Sequence, residues 1–85
     1  MPYIKQERRK EIENGELPEN SGELNFVVTS LIDKYLMNKG KTRYTHLNDA
    51  IGVIECVKLE LYRRIVSPYE DEKIKENGDV YIKRK

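Results

Sequence analysis

Thr45-His-Leu-Asn-Asp-Ala-Ile-Gly-Val-Ile-Glu-Cys-Val-Lys-Leu-Glu-Leu-Tyr-Arg-Arg-Ile-Val66 is the stretch that decides the fold. At about 100° per residue, Leu47, Ala50, Ile51, Ile54, Val57, Leu61 and Ile65 fall in one stripe, which predicts a helix over 46–66 capped by Thr45. A second, thinner stripe of Gly52, Cys56, Leu59 and Val66 lies nearly opposite. A helix apolar on two sides needs cover on two sides. Gly52 and Cys56 are small and one turn apart, so another backbone can come close, and the expected cover is a second copy of the chain. The alternative cover is the N-terminal helix or the C-terminal tail. Lys58 falls inside the main stripe. Its stem either lies along apolar surface with the ammonium in water, or the ammonium pairs with a buried carboxylate or points into a pocket.

Downstream, Ser67-Pro68-Tyr69-Glu70 places serine at an N-cap, proline at the first helical position and glutamate at the third. This predicts a new helix from Pro68, sharply angled from the one before and ending at Asn77-Gly78. Asp79 to Lys83 alternate like a short strand, with Tyr3-Ile4 as a candidate neighbour, and 83–85 form a frayed end. Upstream, Asn20 and Glu23 make a capping box. Leu24, Val27, Val28, Leu31, Tyr35 and Leu36 then recur at helical spacing up to the stop at Gly40, predicting a helix over 21–38. Lys39 to Tyr44 form a basic turn. Residues 5–13 read as a short charged helix stopped by Asn14-Gly15, followed by a loop to Gly22. The expected fold is all-α, one helical domain over 1–85. It has a short N-terminal helix and loop (1–20), a core of two long antiparallel helices and a short third (21–76), and a tail (77–85), assembled as a homo-oligomer.

Composition supports self-association. The 85 residues are 38% apolar and 36% charged, a polar make-up for a domain this small. One Cys and one His leave no disulfide or zinc staple within a chain, and association is the remaining common way to bury enough surface. A lone cysteine suits a reducing compartment. The net charge of +1 gives no global basic footprint, so nucleic acid is not an expected partner. No apolar run approaches the roughly 18 residues of a membrane span, and the first ten residues lack the apolar core of a signal peptide. The expected location is the cytoplasm. No cofactor or metal is expected.

The favoured site for chemistry is an anion site at the break between the 46–66 helix and the helix from Pro68. Arg63 and Arg64 close the first helix, where cations suit the negative end of the dipole. The free N–H groups of the second favour an anion. Arg63, Arg64 and Tyr69 are the leading ligand-binding candidates, with Lys58 and Tyr62 behind them. The arginines would neutralise phosphate, and the tyrosines would stack a planar ring or donate a hydrogen bond. The bland reading is that Glu60, Glu70, Asp71 or a neighbouring subunit satisfies the arginines.

Other chemistries are weaker. Paired carboxylates one helical turn apart hold Mg²⁺ in small all-α pyrophosphohydrolases of the MazG type. Here Glu16 and Glu19 straddle Pro18, Glu76 and Asp79 flank Asn77-Gly78, and Glu55 and Glu60 diverge. A MazG-like Mg²⁺-dependent nucleotide pyrophosphohydrolase using Glu55, Glu60, Glu76 and Asp79 is therefore the rival reading. Cys56 lies mid-helix about 15 Å along the axis from His46, with nothing to lower its pKa. A basic stripe of Lys5, Arg8, Arg9 and Lys10 with Lys39, Lys41 and Arg43 is diluted by Glu7, Glu11 and Glu13.

Met1-Pro-Tyr-Ile-x-x-Glu-Arg-Arg9, Gly22-Glu-Leu-Asn25, Glu55-Cys-Val-Lys-x-Glu60-x-Tyr62-Arg-Arg64, Pro68-Tyr-Glu-Asp71-x-Lys73 and Asn77-Gly-Asp-Val-Tyr81 run through nearly the whole chain. With them the chain resembles a family of small uncharacterised proteins from bacteriophages and bacterial genomes. The resemblance carries over no catalytic residue. It implies a phage or prophage accessory protein that works by binding, by sequestering a host signalling nucleotide or by blocking a host enzyme. The expectation is a non-enzymatic binding protein with an anionic nucleotide or phosphate ligand, and the third reading is an adaptor or inhibitor that binds a host protein.

Overall fold

The computed structural model describes residues 1–84. All regular structure among them is helical: α1 (Gln6–Glu13), α2 (Ser21–Asn38), α3 (Tyr44–Leu61), a π-helical turn (Tyr62–Val66) and α4 (Ser67–Asn77). The all-α expectation holds. The chain divides into two compact units, Met1–Asn48 and Asp49–Lys85.

In the first unit, α2 keeps its expected bounds because its start is chemically fixed. Asn20 is extended (φ −149°, ψ 175°), and its side-chain oxygen accepts the Glu23 N–H at 2.9 Å. The Glu23 carboxylate answers by accepting the Glu19 N–H at 3.0 Å and the Asn20 side-chain amide at 3.1 Å. Arg8 on α1 then ties the two helices and the loop together. Its Nε donates to Glu23 Oε1 at 2.9 Å, and its Nη atoms donate to Glu16 at 2.6 Å, Glu19 at 3.0 Å and the Leu17 carbonyl at 3.0 Å. Glu11 lies 3.5 Å away. Beside it, Arg9 donates to the Ile4 carbonyl at 2.9 Å and stacks over Phe26 at 5.6 Å from the ring centre. Gly22 lies beneath Met1 and Ile4, whose nearest atoms would sit 3.4 and 3.6 Å from a Cβ placed there.

That geometry needs a planar fork. Arg8→Lys offers one ammonium where the loop requires donors in three directions, so its thermal melt falls nearly as far as that of Arg8→Ala. A lysine variant melting with wild type would show that charge alone suffices. The same clasp sets an acid limit. Hydrogen bonds from Glu19, Arg8 and Asn20 hold the Glu23 carboxyl below its ordinary 4.5, the Glu19 N–H contributing most. A depressed folded value stabilises the fold above the ordinary carboxylate range, and that contribution is lost as pH falls through the folded value. Glu23→Gln therefore flattens the loss of helicity on acidification below about pH 4.5.

Two boundaries differ from expectation. α3 begins at Tyr44, because the Arg43 carbonyl already accepts the His46 and Leu47 N–H groups at 3.1 and 3.2 Å, so Thr45 lies inside the first turn and is not the cap. Asp79 to Lys83 form no strand. The Asp79 side chain accepts the Tyr81 N–H at 2.9 Å, a local turn that competes with extended pairing.

The larger correction falls at Ser67. The expected break and new N-cap are absent: Ser67 is helical (φ −60°, ψ −48°), as is Val66 before it (φ −71°, ψ −46°). α3, the π turn and α4 run on without interruption from 44 to 77. Pro68 can neither donate to the Arg64 carbonyl nor leave its ring room there in a regular helix. The chain answers by widening one turn, so that the Ser67 N–H reaches back five residues to the Tyr62 carbonyl. Such π-bulges absorb about one extra residue without ending a helix. The helix ends where expected, at Gly78 (φ +86°), whose N–H bonds the Ile74 carbonyl at 2.8 Å.

Neither unit encloses a core. No described residue is fully buried. On α2, Leu24, Val28, Leu31 and Tyr35 are exposed. Along α3 both apolar stripes are open: Ile51 is 68% exposed, Val57 63% and Leu59 56%. A Cβ placed on Gly52 would meet nothing within 4 Å outside its own helix backbone, and Cys56 is exposed.

Candidate functional site

The candidate residues lie on both sides of the π turn and within it: Lys58 on α3, Tyr62, Arg63 and Arg64 in the turn, and Tyr69 on α4. The bulge decides which of them meet. In a regular helix, residues eight apart differ by about 80° around the axis; absorbing one residue reduces this to about 20°. Tyr62 and Glu70 are thereby brought to one face, and the phenol donates to Glu70 Oε1 at 2.6 Å. The same shift turns Tyr69 into line with Leu61 on the main apolar stripe.

The other candidates do not converge. Lys58 is exposed and pairs with Glu55 at 3.5 Å. Arg63 pairs with Glu60 at 3.8 Å, on a side of the helix well away from Tyr69. Lys73 sits over the Tyr69 ring, 5.5 Å from its centre, and also binds Glu76 at 3.0 Å. Among the described residues Arg64 has no ion-pair partner. With no second helix start at Ser67, the free N–H groups expected of one are not available there. What the segment presents is a row of separate polar contacts along one helix.

The bonded phenol has a titration signature. The Glu70 hydrogen bond, then the Glu70 charge, burial and Tyr81 raise the Tyr62 hydroxyl above its ordinary 10.0. A raised folded value means stability that is complete below the ordinary value and is lost as pH rises through the folded one. Tyr62→Phe removes a phenol ionisation lying above the ordinary 10.0, read by ultraviolet absorbance. An unchanged alkaline limb would mean the Tyr62–Glu70 bond does not form in solution. Glu70 was not identifiable as the Tyr62 partner by helical spacing, because eight residues is the wrong interval without the bulge. The available signal was a proline inside a helical pattern.

The carboxylates of the rival reading are dispersed. Glu55 and Glu60 each take a neighbouring cation, Glu76 takes Lys73, and Asp79 caps a turn. Glu16 and Glu19 both turn to Arg8. No three His, Cys, Asp or Glu side chains gather as a metal-ligand group among the described residues. No helix there is long and apolar enough to cross a membrane.

The molecule is thus a small all-helical protein whose polar contacts around Arg8 hold its N-terminal unit together and whose longest helix is open on both apolar sides. Residues 1–80 match the family model described as Domain of unknown function (DUF6899), and the chain belongs to that family. No curated protein and no solved structure matches it. Two motifs quoted above have a structural reason within the first unit. Met1-Pro-Tyr-Ile with Arg8-Arg9, and Gly22-Glu23, are the two sides of the Arg8–Glu23 clasp.

Proposed function

We propose that this protein is a non-enzymatic binding module that acts as a self-associated assembly, with the apolar faces of α3 docked on a second copy. The observation that carries this reading is the exposure of Ile51, Val57 and Leu59 on α3 and of Ile65 in the π turn, neither of which holds a buried residue. Full burial of such a side chain contributes about 1.5–3 kcal/mol. Covering a half-exposed stripe on both copies therefore contributes on the order of 10 kcal/mol, comparable with the roughly 4–15 kcal/mol that association costs. The small Gly52 and Cys56 permit close approach on the opposite face. The family resemblance adds a phage or prophage setting to this proposal, with a host enzyme or a host signalling nucleotide as the target.

A second reading keeps an anionic nucleotide or phosphate as ligand, favoured by Arg64 standing without a carboxylate partner among the described residues and by the exposure of Tyr69 further along the same helix. In this reading Arg63 is recruited from its long contact with Glu60, and Lys58 and Tyr62 are peripheral. Size-exclusion chromatography with light scattering tests the first reading, and a clean monomer at micromolar concentration would overturn it. Thermal shifts against a nucleotide panel, with and without Mg²⁺, test the second. Stabilisation lost in Arg64→Ala supports the anion site; release of pyrophosphate would favour the pyrophosphohydrolase instead.

A further inference from the structure

We infer that the turn between α2 and α3 is a binding strip for single-stranded nucleic acid, built from Lys39, Lys41 and Arg43 with Tyr44 as its stacking surface. The strip lies wholly within the first unit. From Lys34 to Asn48 the chain carries four cations and no carboxylate, although fifteen acidic residues are spread through the rest. Elsewhere Arg8 takes four glutamates, and Lys58, Arg63 and Lys73 take one each. Among the described residues Lys39, Lys41 and Arg43 take none.

Local electrostatics make this concentration costly to the protein alone. α3 starts at Tyr44 with no acidic residue in its first turn. Lys41 and Arg43 therefore press positive charge against the positive end of its dipole, the reverse of the stabilising arrangement. A polyanion laid across the turn reverses that repulsion.

The aromatic component selects the form of the polyanion. Tyr44 is 81% exposed and free to stack. Tyr35 nearby already carries Lys39, whose ammonium lies 4.9 Å from its ring centre. Cations that track a backbone, alternating with an open aromatic face, are the two components single-strand binders combine. A duplex hides its base faces, and a lipid headgroup offers none. The sequence argued against nucleic acid because acidic residues dilute a stripe that includes Arg8 and Arg9. The structure separates the two halves: Arg8 and Arg9 are consumed by the clasp, and the undiluted half remains open.

Fluorescence anisotropy of a labelled 20-nucleotide single strand, titrated with the full chain across a KCl series, tests this. Three phosphate contacts give a slope of log K against log salt of about −2. Lys39→Gln/Lys41→Gln/Arg43→Gln lowers affinity at least about tenfold at low salt and brings the slope near zero. Tyr44→Ala weakens binding by about fivefold or more while leaving the slope unchanged, as loss of one stacked base requires. The charge-matched control Lys5→Gln/Lys10→Gln/Lys75→Gln binds as wild type, and circular dichroism confirms helicity for each variant. Equal loss in the control, tighter binding of a duplex, or an unaffected triple variant would each overturn the assignment. Capture by anionic vesicles with no affinity for the single strand would do the same.

Discussion

Val57→Glu yields a monomer at micromolar concentration, its dissociation constant raised at least about 100-fold over wild type. Val57 lies mid-stripe on α3 and is 63% exposed in the isolated chain. Docked on a second copy, it contributes about 1.5 kcal/mol or more through burial. A carboxylate there forfeits that and must also be desolvated without a partner, which costs further. The helix itself tolerates the change, since glutamate is the better helix former. Circular dichroism at high dilution therefore remains helical while sedimentation velocity reports half the mass or less. If Val57→Glu and wild type sediment alike, α3 is not the contact element. A matching control, Glu60→Gln on the neighbouring polar side, leaves the mass unchanged.

Pro68→Ala stabilises the continuous helix and at the same time dismantles its side-chain register. Proline inside a helix costs about 3 kcal/mol against alanine, part of which the wide turn at Tyr62–Val66 already relieves. The expected gain is about 1–2 kcal/mol, or several degrees in the melting temperature. Alanine restores the N–H that bonds the Arg64 carbonyl and removes the reason for the bulge. Glu70 then rotates by about 80–100° relative to Tyr62, so the 2.6 Å bond is lost and the raised phenol ionisation disappears. Tyr69 leaves the apolar stripe by the same rotation, so any assembly that uses it weakens even as the helix strengthens. Opposite signs for helix stability and association are the diagnostic result. A melt that drops, with Tyr62 titrating as before, would mean the bulge is set by packing and not by the proline.

The bulge also explains why the candidate site was harder to read than the fold. Arg63, Arg64 and Tyr69 were grouped because Ser67-Pro68-Tyr69-Glu70 has every letter of a helix start. The chain instead carries the proline through a helix, which leaves Arg63 and Tyr69 on different sides and joins Tyr62 to a residue eight positions away. The same four letters serve either geometry. Backbone dihedrals at Ser67 distinguish them; composition does not.

By itself the sequence determined the all-helical class, the bounds of α2, the Asn20–Glu23 cap, the stop at Gly78 and the double apolar face of α3. These depend on interactions within about one turn of chain, where periodicity, caps and glycine geometry act directly. Only the tertiary structure decided that Arg8 gathers Glu11, Glu16, Glu19 and Glu23 from three segments, or that Ser67 lies mid-helix with Tyr62 bonded to Glu70. The physical reason is range. A guanidinium can satisfy many nearby carboxylates and a proline can be met by a kink, a break or a bulge, and the choice is fixed by which polar groups the folded chain brings within hydrogen-bonding distance.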